Sequence, residues 1–119
     1  MKKLMLTTSV IAMLFSSCAV FSTLHSTTTI KGNDSFVLGN NEHGTFKVKL
    51  TNISNKEVEV HRAPIDGGNH SFQKVQPNET VTVNVERNTA LVIANESSKT
   101  INVKLKVTGD TGLSMGYKN

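Results

Sequence analysis

Four histidines, one cysteine and a scatter of serines are the side chains of this 119-residue sequence able to ligate a metal or act as a nucleophile. The histidines are His25, His43, His61 and His70, with Glu42 and Asp66 close by along the chain. His61 and His70 flank the turn from Pro64 to Asn69, so a hairpin there would bring two imidazoles toward one ion. Their spacing matches no zinc pattern, and a single thiol, Cys18, cannot supply a site built on paired cysteines. The plain reading is four solvated imidazoles and no cofactor, with a small-ligand or metal-binding role for His61 and His70 as the alternative. Catalysis finds less to work with. No serine stands in a nucleophile elbow, and Gly67-Gly68 lacks the helix and lysine of a phosphate loop. Glu57 and Glu59 fall on one outward strand face, where carboxylates serve solubility rather than acid–base work. The chain is expected not to be an enzyme.

Cys18 is the residue whose surroundings are informative. Lys2 and Lys3 precede the apolar run Leu4 to Phe15, and small Ser16 and Ser17 lead into the cysteine. This is the layout of an export signal, too short to span a bilayer at the roughly 20 residues a helix needs. The segment Phe15-Ser16-Ser17-Cys18 resembles the lipobox of bacterial lipoproteins. Over residues 1–18 that resemblance implies a signal peptide, 1–17, cut before Cys18, a diacylglycerol on the thiol and an acyl chain such as palmitate on the new amino terminus. Lipidation at Cys18 would hold the domain outside the cytoplasm, on a membrane of the cell envelope. Ala19, by resemblance to enterobacterial lipoproteins, is compatible with the outer membrane. The other reading is an ordinary secretory signal cut between Ala19 and Ser22, which would free a soluble domain. With Cys18 acylated, no thiol remains for a disulfide. The chain carries 13 basic and 9 acidic residues, and two of the basic ones, Lys2 and Lys3, leave with the signal.

Residues 18–29 are rich in Ser and Thr and read as a tether, and residues 30–119 as one domain. From Thr45 onward apolar and polar residues alternate: Phe46, Val48, Leu50; then Val58, Val60; then Val81, Val83, Val85; then Ile101, Val103, Leu105, Val107. Period two buries one face of a strand and wets the other. Turn residues fill the gaps at Asn52 to Lys56, Asp66 to Asn69, Gln76 to Glu79, Asn95 to Lys99 and Gly109 to Gly112. Weaker strands are expected near 34–38, 70–75, 89–94 and 113–117. The fold class is all-β: an antiparallel β-sandwich, immunoglobulin-like or similar, of about seven or eight strands. Two hairpins follow from local pairing, with Leu50 against Val58 and Lys49 against Glu59 in one. In the other, Val85 faces Leu91 and Asn88 takes a left-handed conformation in the loop. Phe72, Val75, Leu91 and Ile93 join the inward set, which fills one modest core and leaves nothing to line an internal ligand cavity. Binding is therefore expected on loops or an outer sheet face.

Composition narrows the partners. There is no Trp, and Phe46 and Phe72 are assigned to the core, so no aromatic platform for bases is expected. Lys47, Lys49, Lys104 and Lys106 would form a basic stripe if their strands were neighbours, with Glu57 and Glu59 offsetting half of it. A solvated face without nucleic acid is the expectation. The five Asn-x-Ser/Thr sites, at Asn33, Asn52, Asn69, Asn78 and Asn95, are glycan acceptors in a eukaryotic secreted protein and turn residues beside a lipobox. The expected role is a membrane-anchored structural or protein-interaction module, meeting an envelope protein through a sheet edge or the 64–69 loop. Intact-mass spectrometry of the mature amino terminus is expected to show an acylated Cys18. Cys18→Ser should lose the acyl mass and leave the membrane fraction, and an unmodified end beyond residue 18 would remove the anchor.

Overall fold

A computed structural model describes residues 23–118, so Cys18 and the signal lie outside the described residues. Nine strands follow in order: β1 (Leu24–Ile30), β2 (Ser35–Leu38), β3 (Phe46–Asn52), β4 (Val58–Pro64), β5 (His70–Val75), β6 (Thr80–Val85), β7 (Thr89–Ala94), β8 (Ile101–Gly109) and β9 (Met115–Tyr117). They form a four-stranded sheet, β1-β8-β3-β6, and a five-stranded sheet, β5-β4-β7-β2-β9, with every pairing antiparallel. The β-sandwich expected from the alternation is present. The weaker strands expected near 34–38, 70–75, 89–94 and 113–117 are present too, as β2, β5, β7 and β9.

The connectivity has a simple derivation. β4 pairs with β5, β3 with β6, β2 with β7 and β1 with β8, as in one long hairpin whose turn is the 65–69 loop. Winding that hairpin up sends alternate pairs to opposite sheets, which is the double Greek key of a jelly roll rather than the strand order of an immunoglobulin domain. β9 then adds to the free edge of β2. Only β4 and β5 are consecutive strands that pair, so both expected hairpins are corrected. Lys49 faces Thr82 and Lys106, not Glu59, and Val85 faces Phe46, not Leu91. The reason is physical: a strand of period two buries the same face against any partner of like pattern, so alternation sets the face and leaves the partner open. Asn88 does take the left-handed conformation, at φ 53°, but in a crossing between sheets.

Between the sheets lie Phe46, Val48, Leu50, Val58, Val60, Val75, Val83, Val85, Leu91, Ile93, Ile101, Val103, Leu105 and Val107, with Val81 partly buried. Ile30, Phe36 and Leu38 complete this core. Phe72 is the exception to the expected set, 57% exposed. Val75 points inward, and Phe72 stands an odd number of residues before it, so strand parity turns Phe72 outward. The start of the fold also moves. β1 begins at Leu24, inside the stretch read as tether, because Leu24, Ser26, Thr28 and Ile30 alternate toward the core and β1 pairs with β8 along its length. Small hydroxyl residues hide that alternation, although Thr28 is buried and Ser26 Oγ lies 2.9 Å from its hydroxyl.

Four crossings meet at one end of the sandwich, and two asparagines hold them. Asn95 is buried; its Nδ2 donates to the carbonyls of Ile30 and Lys31 at 3.0 Å and of Lys99 at 2.7 Å. Its Oδ1 accepts from the backbone N–H of Ser97 at 3.1 Å and from the Ser97 hydroxyl at 2.7 Å. Asn52 repeats the arrangement: Nδ2 donates to Lys56 O at 2.7 Å and Val75 O at 3.1 Å, and Oδ1 accepts from Ser54 N and Ser54 Oγ. Each opens an Asn-x-Ser-x-Lys segment that leaves one sheet for the other, after β3 and after β7. Asn95 thereby ties the β7–β8 crossing to the β1–β2 corner, and Asn52 ties the β3–β4 crossing to the end of β5. Both amides are inside the folded domain with their hydrogens in use, which closes Asn52 and Asn95 to glycans once the chain has folded. Asn95→Ala removes the donor to three carbonyls, that of Ile30 buried and those of Lys31 and Lys99 partly so, and is expected to cost about 3 kcal/mol by urea denaturation. The exposed Asn55→Ala should stay within about 0.5 kcal/mol; a similar small loss for Asn95→Ala would show that the clamp carries no stability.

Candidate functional site

Each candidate histidine has a definite place. His43 is buried, its Nε2 2.9 Å from the Thr89 carbonyl and its ring edge-on to Phe46 at 5.1 Å, so it braces the β2–β3 loop. His25 is exposed on the outer face of the four-stranded sheet, across from Lys106. His61 and His70 are not brought together. His70 pairs with Arg62, so His61, the preceding residue of β4, points to the opposite face. Among the described residues no group of three or more His, Cys, Asp or Glu side chains is placed to hold a metal ion.

His70 makes the contact that most resembles a catalytic pair. Its Nδ1 lies 2.8 Å from Ser71 Oγ and its Nε2 lies 3.9 Å from Glu86 Oε2. Both His70 and Ser71 are exposed on the edge strand β5, and the carboxylate distance exceeds that of a hydrogen bond. Ser71 has φ 61° because two residues of β5, Ser71 and Phe72, stand opposite the single residue His61 of β4. That bulge twists the edge and settles Phe72 over its neighbour.

The neighbour is His61, and the two rings stack at 4.7 Å and 26°. From there one row runs across the outer face of the five-stranded sheet: Phe72, His61, Val92, Val37 and Gly116, each cross-strand from the next. Ala63 and Ala90 form a second pair beside it. Small apolar side chains thus floor a trough of about 380 Å³, with Gly116 contributing only backbone and Lys118 standing at the far side. β7 explains why the sequence hid this. Its run Thr-Ala-Leu-Val-Ile-Ala carries no alternation because Leu91 and Ile93 face the core while Ala90 and Val92 are buried outward.

His61 is the buried polar group of the trough floor, whose walls include Asn40, Asn69, Ser114 and Lys118. It is 8% exposed, and its Nδ1 is the one buried side-chain nitrogen or oxygen without a hydrogen-bond partner among the described residues. Glu59 Oε1 stands 3.9 Å from that nitrogen, within ion-pair range and beyond hydrogen-bond range. Burial lowers the proton affinity of His61; Glu59 opposes the shift and Lys118 adds to it. Beyond Glu59 the sheet becomes acidic. Glu57, Glu59 and Glu96 gather around the Lys74 ammonium at 3.6, 3.6 and 3.2 Å. Of the two glutamates expected to offset the basic stripe, Glu59 is therefore on β4 of the other sheet and Glu57 in the crossing just before it. The stripe itself exists, since β3 and β8 are neighbours and Lys49 stands directly opposite Lys106.

No protein-family model and no curated protein matches the chain. Among solved structures it is similar to the crystal structure of Yersinia pseudotuberculosis-derived mitogen, with a TM-score of 0.46 and 18% identity over 76% of this chain and 87% of that one.

Because the folded state disfavours protonated His61, stability should be fully present above the ordinary histidine value of 6.5. It should decline as the pH falls through that value and level off below the lowered folded-state value. His61→Phe, which keeps a ring against Phe72, is expected to flatten this slope in urea melts between about pH 7.5 and 5. An unchanged slope would assign the titration to another group.

Proposed function

We propose that this protein is a membrane-anchored envelope lipoprotein, acylated at Cys18, whose jelly roll is a protein-interaction module and not an enzyme. The partner seats on the outer face of the five-stranded sheet, in the trough that Asn69 of the 64–69 loop also lines. The row Phe72, His61, Val92, Val37 and Gly116, apolar apart from His61, is the observation that carries the proposal. An outward sheet face usually alternates polar residues into water, whereas this one places a half-exposed aromatic beside a floor of alanine and valine. Such a surface accepts an inserted apolar or aromatic side chain, the kind of anchor that dominates interface energetics. The acidic group around Lys74 supplies a polar rim on one side and Lys118 on the other.

A non-enzymatic role is supported by the exposure of the Ser71–His70 pair on a sheet edge, where nothing excludes water from a reacting group. A second reading, a small polar ligand held in the same trough, is favoured by the unpartnered Nδ1 of His61. Tyr117 is also among the residues that line the trough. It leaves β9 on the inner side, packs edge-on against Phe36 at 5.5 Å and donates its hydroxyl to Thr29 O at 2.8 Å, closing the edge between the sheets.

A photo-crosslinking amino acid at Phe72, in the anchored protein in its own envelope, is expected to give one discrete adduct. The same residue at Thr82, on the other sheet, should give none. Val92→Glu, which puts a charge on the trough floor, should reduce the Phe72 adduct by at least about tenfold. Equal crosslinking from both positions, or an adduct indifferent to Val92→Glu, would refute the site.

A further inference from the structure

The outer face of the four-stranded sheet is basic throughout. β3 contributes Lys47 and Lys49, β8 contributes Lys104 and Lys106, and β1 adds His25 across from Lys106. The rest of the face is Thr and Asn, and none of the strands β1, β3, β6 or β8 contains an Asp or Glu. Lys49 and Lys106 stand in register, a like-charge pair that costs stability on a sheet. The ion pairs of the described residues include none of these four lysines, whereas Lys74 on the other sheet has three carboxylates. The fold thus segregates its charge, leaving one uncompensated cationic plane.

We infer that this face docks flat on the anionic surface of a lipid bilayer, as a second membrane attachment beside the lipid at Cys18. The inference rests on the Cys18 reading for its orientation. Neighbouring strands space the backbones that carry these lysines roughly 5 Å apart and alternate residues of one strand lie roughly 7 Å apart, so their flexible ammonium groups can reach several phosphate headgroups at once. The face carries lysine point charges, no arginine fork and no Phe, Tyr or Trp, which fits a diffuse anionic plane better than stacked bases. The strand into which the chain from Cys18 runs also belongs to this sheet. β1 is the edge strand of the basic sheet, and Leu24, its first residue, pairs with Val107 next to Lys106. The five residues from Ala19 to Thr23 span at most about 17 Å, so an acylated Cys18 keeps the bilayer within reach of His25 and Lys106. One lipid attachment plus a polybasic patch gives a lasting, oriented association. With the basic sheet down, the apolar trough on the opposite sheet faces away from the membrane, free for a partner.

The test is the rate at which an amine-reactive reagent modifies each lysine, read by mass spectrometry. The acylated protein is reconstituted in vesicles of phosphatidylcholine alone or with phosphatidylglycerol. Lys47, Lys49, Lys104 and Lys106 are expected to react at least roughly fivefold more slowly on the anionic vesicles, the scale of one lysine's attraction to such a surface. Lys74 and Lys118, on the opposite sheet, should be unaffected, and high salt should abolish the difference. Equal rates on both vesicles would overturn the inference. So would stronger protection of the same lysines by a single-stranded oligonucleotide, which would make the face a nucleic-acid surface. An unacylated amino terminus would overturn the anchor alone; the same protein added to anionic vesicles would then read the lysine face, and no protection there would overturn it as well.

Discussion

Two buried asparagines carry the constraint on which the sandwich depends. In a jelly roll nearly every connection leaves one sheet for the other, and each crossing brings backbone carbonyls and N–H groups to the end of the core without a ladder partner. Asn52 and Asn95 satisfy those groups from inside, with the same Asn-x-Ser-x-Lys chemistry at both crossings. At the other end Asn88 accepts from the His43 N–H through its side chain and donates its own N–H to His43 O. Its carbonyl meanwhile accepts from Ile65 N–H, which joins three loops. Side-chain amides replace the backbone ladder wherever the chain changes sheets.

With the ends held, each sheet is free to present a different outer face. Most inward positions are aliphatic or aromatic, with Ser26 and Thr28 of β1 as exceptions, so the distinctive chemistry lies outward. One face is a field of threonine, asparagine and unpaired lysine; the other is an apolar trough with an acidic flank. A small domain of this kind separates two tasks by facing them in opposite directions. In the proposed arrangement the lysine face holds the domain to a membrane and the trough recruits a protein.

Much of the framework was legible from residue order. Alternation located the strands, and Asn, Gly and Pro located the turns, because those signals are local. What escaped was whatever period two disguises. β1 is hidden by serine and threonine in its inward positions; β7 is expected near 89–94 and found at Thr89–Ala94, but being apolar on both faces it gives no sign of an outward apolar floor. Phe72 was assigned inward on hydrophobicity, although its odd spacing from Val75 already required the opposite face. The candidate site was legible only in fragments: His61 was singled out, but for a shared ion with His70, which the register places on the other side of the strand.

The order of residues by itself determined that the chain is a β-sandwich, which side of most strands is buried, and that Phe15-Ser16-Ser17-Cys18 resembles a lipidation signal. These follow from backbone geometry and from contiguous motifs. Only the tertiary structure decided that Lys49 meets Lys106 instead of Glu59, and that Phe72, His61, Val92, Val37 and Gly116 form one row. Strand partnership is set by closing the whole wound hairpin around one core, and inward patterns of valine and leucine are interchangeable among partners. The outward residues, where binding chemistry resides, therefore acquire their neighbours only when the sheets are assembled.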